Sequence, residues 1–229
     1  AGLEVESFGS PSEVVWMKLS KQPGDPAETM GHAGPRQGFV LIDRGDYWQC
    51  GYVVRKGSYA EFKEQGLEAF RERVAEVCPL PRERLSEIGS WDDAWLLTVR
   101  IDRLKQWWKP GVICIGDAAH AMSPIGGVGV NLAIQDAVAA ANVLIPILSA
   151  RRTIADTDLA AIEKRRTFPT KATQRLQLMM RSKNKKDQAD AKKAKGPPAF
   201  VLAIMRFPLL AHLAGRLIGL GFRREKINY

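Results

Sequence analysis

Between residues 111 and 137 the chain passes from an uninterrupted apolar run, 112–115, through a Gly116-Asp117 turn and a loop rich in Pro and Gly into an alanine-rich segment. No other stretch restricts the fold as much. Four consecutive apolar residues bounded by turn signals predict a strand buried on both faces of a parallel or mixed sheet. Gly116 permits a sharp exit from that strand, and Asp117 then projects a carboxylate from its carboxyl end, where ligands of open α/β sheets sit. A carboxylate there suits sugar or polyol hydroxyls. Gly126, Gly127 and Gly129 let backbone N–H groups approach a ligand closely, and a helix that starts here turns its positive end towards an anion. That helix is predicted over 129–148. Ala133, Ala137, Ala139, Ala140 and Ala141 allow it to approach a neighbouring element closely, and Pro146 kinks or ends it.

Upstream, residues 14–19, 38–42 and 47–54 are short, aromatic and β-branched, and clusters of Gly, Pro and Asp separate them. They predict antiparallel strands, with Asp43-Arg44-Gly45-Asp46 as a tight hairpin connection. Residues 61–77 place Phe62, Leu67, Phe70, Val74 and Val77 at mostly three- and four-residue intervals, the period of a helix with one buried stripe, ended by Pro79 and Pro81. A further strand is predicted over 94–101 and a short helical connection over 102–108. Residues 182–198 are Lys-rich and close on Gly196-Pro197-Pro198, the composition of a solvated connection or exposed helix.

The net charge of +9 is not spread evenly. Residues 151–229 hold 19 Lys and Arg against 6 Asp and Glu, leaving 15 against 19 for residues 1–150. The motif-bearing two-thirds is therefore mildly acidic, which argues against a nucleic-acid groove. Cys50, Cys78 and Cys114 are odd in number and far apart, so reduced thiols in the cytoplasm are expected. Neither they nor His32, His120 and His212 show ligand spacing, and no metal site is expected.

The joint order of apolar strand, Gly116-Asp117-Ala118-Ala119-His120, Ser123-Pro124, Gly126-Gly127-Val128-Gly129-Val130-Asn131 and alanine-rich helix resembles the second FAD fingerprint of the flavoprotein aromatic hydroxylases, the para-hydroxybenzoate hydroxylase-like FAD-dependent monooxygenases. Motif similarity covers about residues 99–145. The resemblance implies that Asp117, carried on Gly116, binds the ribityl or ribose hydroxyl region of FAD. It places Pro124 near the reactive edge of the isoalloxazine, and the backbone around Gly127, Gly129, Val130 and Asn131 against the flavin pyrimidine. It further implies NADH or NADPH as reductant, O2 as co-substrate and hydroxylation of an apolar or aromatic small molecule. No single catalytic residue is assigned, because the cofactor carries the chemistry.

The fold class expected is mixed α+β and α/β: an antiparallel substrate-binding sheet with its helix over 1–98, the returning part of a Rossmann-like FAD domain over 99–150, and a helical basic region over 151–229. The family's GxGxxG unit and its Asp-Gly motif are both missing from the sequence. The resemblance puts both upstream of Ala1, in a larger protein, and the chain alone is expected to bind FAD poorly and to purify colourless. Two other readings stand beside this one: a related FAD-dependent reductase or halogenase, and a non-catalytic module that binds a hydrophobic ligand.

Trp16, Phe39, Trp48 and Tyr52 lie on the predicted sheet, and each either lines an apolar substrate pocket or belongs to the core, according to the face it takes. His120, in a turn beside Asp117, is read as an orienting or hydrogen-bonded residue rather than an acid or base. Ser123 lacks a G-x-S-x-G elbow and is not read as a nucleophile. Residues 199–222 are apolar but interrupted by Arg206, Pro208, His212 and Arg216, which speaks against a spanning helix. A surface helix, or peripheral contact with a bilayer beside the Lys-rich run, is the expectation there.

Overall fold

The computed structural model of the chain describes residues 2–10, 12–33, 38–124, 127–189, 212, 215–216 and 219–228, and the side chains of all of these except 30, 32, 33 and 180–189. It is a mixed α+β structure divided into two compact units, one formed by residues 10–99 and the other by residues 1–9 with 100–229.

In the first of these, β2 (Ser12–Ser20), β3 (Met30–Ala33), β4 (Gly38–Asp43), β5 (Tyr47–Arg55) and β6 (Ala94–Leu97) make one antiparallel sheet in the order β3-β4-β5-β2-β6. The β4–β5 hairpin closes at the expected tetrapeptide: Gly45 takes φ 92°, and its N–H donates to Asp43 Oδ1 at 2.8 Å. Alternation along the strands separates two faces. Val15, Met17 and Leu19 of β2, Phe39 and Leu41 of β4, and Trp48, Cys50 and Tyr52 of β5 are all buried on one face.

Two helices cover that face, α1 (Ser58–Gln65) and α2 (Leu67–Ala75), contributing Phe62, Phe70 and Val74. One continuous helix over 61–77 is the sequence expectation. The structure breaks it at Gly66, whose φ of 90° and ψ of 161° lie outside helical space, so the stripe is shared between two short helices. Each fully buried aromatic of this core, such as Trp48, Tyr52 or Phe70, contributes roughly 2–3 kcal/mol of burial. A polar clamp closes one end. Trp48 Nε1 donates to Asp25 Oδ2 at 2.8 Å, and Arg84 reaches Asp25 at 3.2 Å and Glu87 at 3.0 Å.

The other unit contains β1 (Val5–Ser7) paired with β7 (Asp102–Leu104), a hairpin of β8 (Trp108–Lys109) with β9 (Val112–Ile113), and two long helices, α3 (Val128–Ser149) and α4 (Asp156–Ala189). Two expectations are corrected here. Residues 102–104 form a strand rather than part of a helical connection, since Asp102–Leu104 pair with Val5–Ser7. The run 112–115 is not a strand buried on both faces. Only Val112 and Ile113 are extended in a ladder, paired antiparallel to β8, and Val112 is exposed. Every strand pair among the described residues is antiparallel, so there is no parallel sheet there for this run to enter. The helix predicted over 129–148 is present, and Pro146 lies in its last turn. Most of 199–222, and with it the expected surface helix or bilayer contact, lies outside the described residues, as do Gly126 and residues 190–198 of the Lys-rich run.

Candidate functional site

The Gly116-Asp117 turn is a short 3₁₀ turn, Gly116–Ala118, packed on the first turns of α3. Gly116 is required there twice over. Its φ is 58°, and a Cβ on it would lie 3.0 Å from the Cβ of Ala133 on α3. The small residue read as permitting close approach thus receives this turn. Asp117 is exposed, and its carboxylate has no hydrogen bond or ion pair among the described residues.

Beyond the turn, residues 119–123 run beside β7, held by Leu104 N–H to Ala119 O at 2.8 Å and Asp102 N–H to Ala121 O at 3.1 Å. Two glutamines on α4 fix this loop. Gln174 Nε2 donates to Asp102 O (2.8 Å) and Ala121 O (3.1 Å), while Gln177 both accepts from Ser123 N–H (3.2 Å) and donates to Ser123 O (3.0 Å). The loop therefore delivers Pro124, itself exposed, from a defined position.

At the start of α3, Gly127 takes φ 63° as the residue before the helix and provides no side-chain cap, and the first turn holds no acidic residue. Among the described residues, no side-chain cap and no first-turn carboxylate offset the helix's positive end. Gly127, Val130 and Asn131 are exposed and Gly129 half-buried. The side chain of Asn131 is not free: its Nδ2 donates to Gly219 O. An exposed carboxylate at 117 and an uncapped helix start at 127–130, brought together by the Gly116–Ala133 contact, fit a ligand with hydroxyl groups and an electron-rich ring edge.

A buried ionic cluster, not read from the sequence, lies under the turn. The Asp136 carboxylate, fully buried on α3, accepts from Gly116 N–H at 3.0 Å, meets His120 Nε2 at 2.6 Å and accepts from Arg166 Nε at 2.8 Å. Arg166 Nη1 reaches Glu225 Oε1 and Arg223 O, both at 3.2 Å, and Arg165 Nε contacts both oxygens of Glu225 at 2.8 Å. Burial opposes ionisation of Asp136, but His120, Arg166 and the Gly116 amide outweigh it and hold its pKa below the ordinary carboxylate value. His120 is buried against Trp107, with ring centroids 5.0 Å apart, and is the hydrogen-bonded residue of the expectation, through Asp136. The available signal was Asp136 itself, the one charged residue within an otherwise uncharged helix.

The carboxyl-terminal segment follows a polar ladder on the same helix. Besides Asn131, Gln135 Nε2 donates to Leu220 O (2.8 Å) and Asn142 Nδ2 to Lys226 O (2.7 Å). On another face of α3, Val130, Ile134, Ile145 and Leu148 form an exposed apolar stripe, each more than half accessible. By length and composition alone α3 would also serve as a membrane span, but it carries the fully buried, ion-paired Asp136.

Of the four aromatics proposed for substrate, the structure separates one from the rest. Phe39, Trp48 and Tyr52 are in the core beneath α1 and α2, at 0–3% exposure, and burial pushes the Tyr52 phenol up to about 12. Pocket lining is corrected to core for these three, because the strand register turns them to the helix-covered face. Trp16 lies on the other face, in one cross-strand row with Gly51 and Trp95. At one end of that face a hollow of about 370 Å³ is lined by Lys18, Ser20, Tyr47 and Trp95 together with acidic residues.

Comparison with known proteins shows the family and the fold. A relative, 6-methylpretetramide 4-monooxygenase of Streptomyces rimosus, is 33% identical over 168 residues, 73% of this chain and 40% of that protein. A probable FAD-dependent monooxygenase from Pseudomonas aeruginosa shares the fold with a TM-score of 0.60 at 21% identity, over 74% of this chain and 48% of its own. A flavin-dependent brominase does so at 0.65 and 16% identity, over 95% and 52%. The chain thus spans about two fifths of the curated relative's length and half that of the solved structures. The model of the FAD binding domain matches residues 2–176, and the chain belongs to the FAD binding domain family.

Proposed function

We propose that the chain is the carboxyl-terminal part of an FAD-dependent monooxygenase, cytoplasmic, which uses NADH or NADPH and O2 to hydroxylate an apolar or aromatic small molecule. The observation that carries the reading is the exposed Asp117, unpaired among the described residues, on a turn packed against α3, whose start has no side-chain cap. Asp117 would accept hydrogen bonds from ribityl or ribose hydroxyls. The backbone N–H groups of Gly129 and Val130 would hold the electron-rich pyrimidine edge beside Asn131, and Gly127 leaves room for it to approach. Pro124 would border the reactive edge. When bound, FAD supplies the redox and oxygen chemistry.

The protein's own contribution is binding, orientation and exclusion of water. The open sheet face bearing Trp16, Val40, Val53, Trp95 and Leu97 offers apolar and aromatic contact to a substrate of matching character. The exposed stripe of Val130, Ile134, Ile145 and Leu148 supports a further layer of the protein over α3, and we assign it to the GxGxxG-bearing βαβ unit. Three free cysteines support a reducing compartment.

The test is to express the chain together with such an upstream unit, supply NADH or NADPH with O2 and an aromatic substrate panel, and assay product. Bound FAD and an oxygenated product support the reading. Bound FAD that yields only hydrogen peroxide overturns the hydroxylation. The brominase's shared fold motivates one further arm: halide-dependent halogenation of the same panel would assign the halogenase chemistry instead.

A further inference from the structure

We propose that Asp136, Arg166 and Glu225 are positioning residues for the Gly116-Asp117 turn, a buried charge relay through which the docked carboxyl-terminal segment sets the turn's hold on FAD. This rests on the FAD reading above.

The relay is continuous. Gly116 N–H, whose direction fixes how the chain leaves 112–115 and enters the turn, donates to Asp136 Oδ2, and Arg166 Nε occupies the other carboxylate oxygen. With both oxygens engaged, the carboxylate plane cannot rotate without breaking a charged hydrogen bond. Arg166 depends in turn on the terminal segment. Its Nη2 has no partner among the described residues, so Nε and Nη1 carry its pairing, and Nη1 is held by Glu225 and by the carbonyl of Arg223.

Asp136, Arg166 and the Glu225 side chain are all at 0% exposure, where charges are weakly screened and a chain of hydrogen bonds responds as a unit. Two carboxylates face the guanidiniums of Arg165 and Arg166, and His120 Nε2 shares Asp136 Oδ2 with the Gly116 amide at 2.6 Å. Removing the Glu225 charge leaves the buried guanidinium of Arg166 with one anionic partner and frees it to shift. Asp136 then follows, and the hydrogen bond to Gly116 lengthens. The polar ladder of Asn131, Gln135 and Asn142 still holds the segment on α3 in such a variant, which separates the charge relay from loss of the segment.

The experiment uses the full-length protein. Hydrogen exchange of the Gly116 amide, with the Ala140 amide in mid-α3 as control, is measured without FAD in the parent, Asp136→Asn, Glu225→Gln and the double variant, and FAD dissociation constants are measured for the same set. Both single variants are expected to speed Gly116 exchange by about tenfold with Ala140 unchanged, and to weaken FAD binding by about five- to tenfold or more. The double variant is expected to be no worse than Asp136→Asn alone, because both act along one path. Multiplying effects in the double variant, or Gly116 exchange in Glu225→Gln equal to the parent's, would overturn the relay. A uniform rise at Gly116 and Ala140 would reduce it to general stability and also overturn it. If Asp136→Asn does not fold, Glu225→Gln and Arg166→Lys decide by the same exchange ratio. A parent that binds no FAD sinks the FAD reading, whereas the exchange ratio still decides the relay.

Discussion

The indole of Trp16 occupies the space that a side chain on its cross-strand partner Gly51 would need: a Cβ there would lie 2.8 Å from Trp16 Cζ3 and 2.7 Å from Val40 Cγ1. Gly51 is thus the floor on which one part of the open sheet face is built. Gly51→Ala is expected to push Trp16 off this floor at a cost of about 1–3 kcal/mol, the usual range for overpacking. Chemical denaturation measures the loss. Trp16→Leu in the Gly51→Ala background should recover part of it, and no recovery would show that the indole is not what the new methyl meets.

Gly116 makes a second, different demand on its position. Gly116→Ala places a Cβ at φ 58° and 3.0 Å from Ala133 Cβ. Backbone strain of about 1–2 kcal/mol and the contact with α3 add together. Ala133→Gly is expected to relieve the contact alone, so the double variant should stay less stable than the parent. Thermal unfolding checks this, and full recovery would place the whole cost in the contact.

Acid sensitivity follows from the depressed carboxylates. Asp136 in one unit, and Asp25 and Glu87 in the other, resist desolvation through hydrogen bonds and charge and lie below their ordinary pKa values. Such groups bind fewer protons folded than unfolded, so their contribution is complete above about pH 5 and is lost as pH falls through the folded values. Urea midpoints taken from pH 5 to pH 2 are expected to fall, and Asp136→Asn, which lacks one of these carboxylates, should show a shallower fall. A midpoint that rises on acidification would contradict this.

Cys50 is fully buried in the sheet core, and burial drives its thiol pKa upward, away from the reactive thiolate. Native protein treated with iodoacetamide is expected to remain unmodified at Cys50 while unfolded protein reacts, with peptide mass spectrometry as the readout. Modification at the native rate of an exposed thiol would contradict the packing of β5 against α1 and α2.

The hairpin at Asp43-Arg44-Gly45-Asp46 and the strands around it were legible because turn chemistry and two-residue alternation are local signals. So was the Gly-Asp turn leading into α3, since a glycine in left-handed space and an alanine face both leave marks in the residue types. Face assignment was not. Trp16 and Trp48 carry the same residue type on neighbouring strands, and only register turns one to the open face and the other to the core. The break at Gly66 was hidden because the apolar spacing runs through it. The Asp136–Arg166–Glu225 cluster joins three segments far apart in the chain, and pairing of that kind is decided by tertiary packing rather than by any local pattern. The run 112–115 reads as a buried strand because its composition asks for neighbours, and among the described residues it has only β8.

Asp117 gives the most direct test of the FAD assignment. It is exposed and unpaired among the described residues, so Asp117→Asn should change folding stability by no more than about 0.5 kcal/mol. In the full-length protein the account predicts that this one substitution weakens FAD binding by about tenfold or more, read as bound flavin absorbance and a fluorescence titration on protein of unchanged thermal stability. Equal FAD content and affinity in Asp117→Asn and the parent would contradict the assignment of this turn to the cofactor.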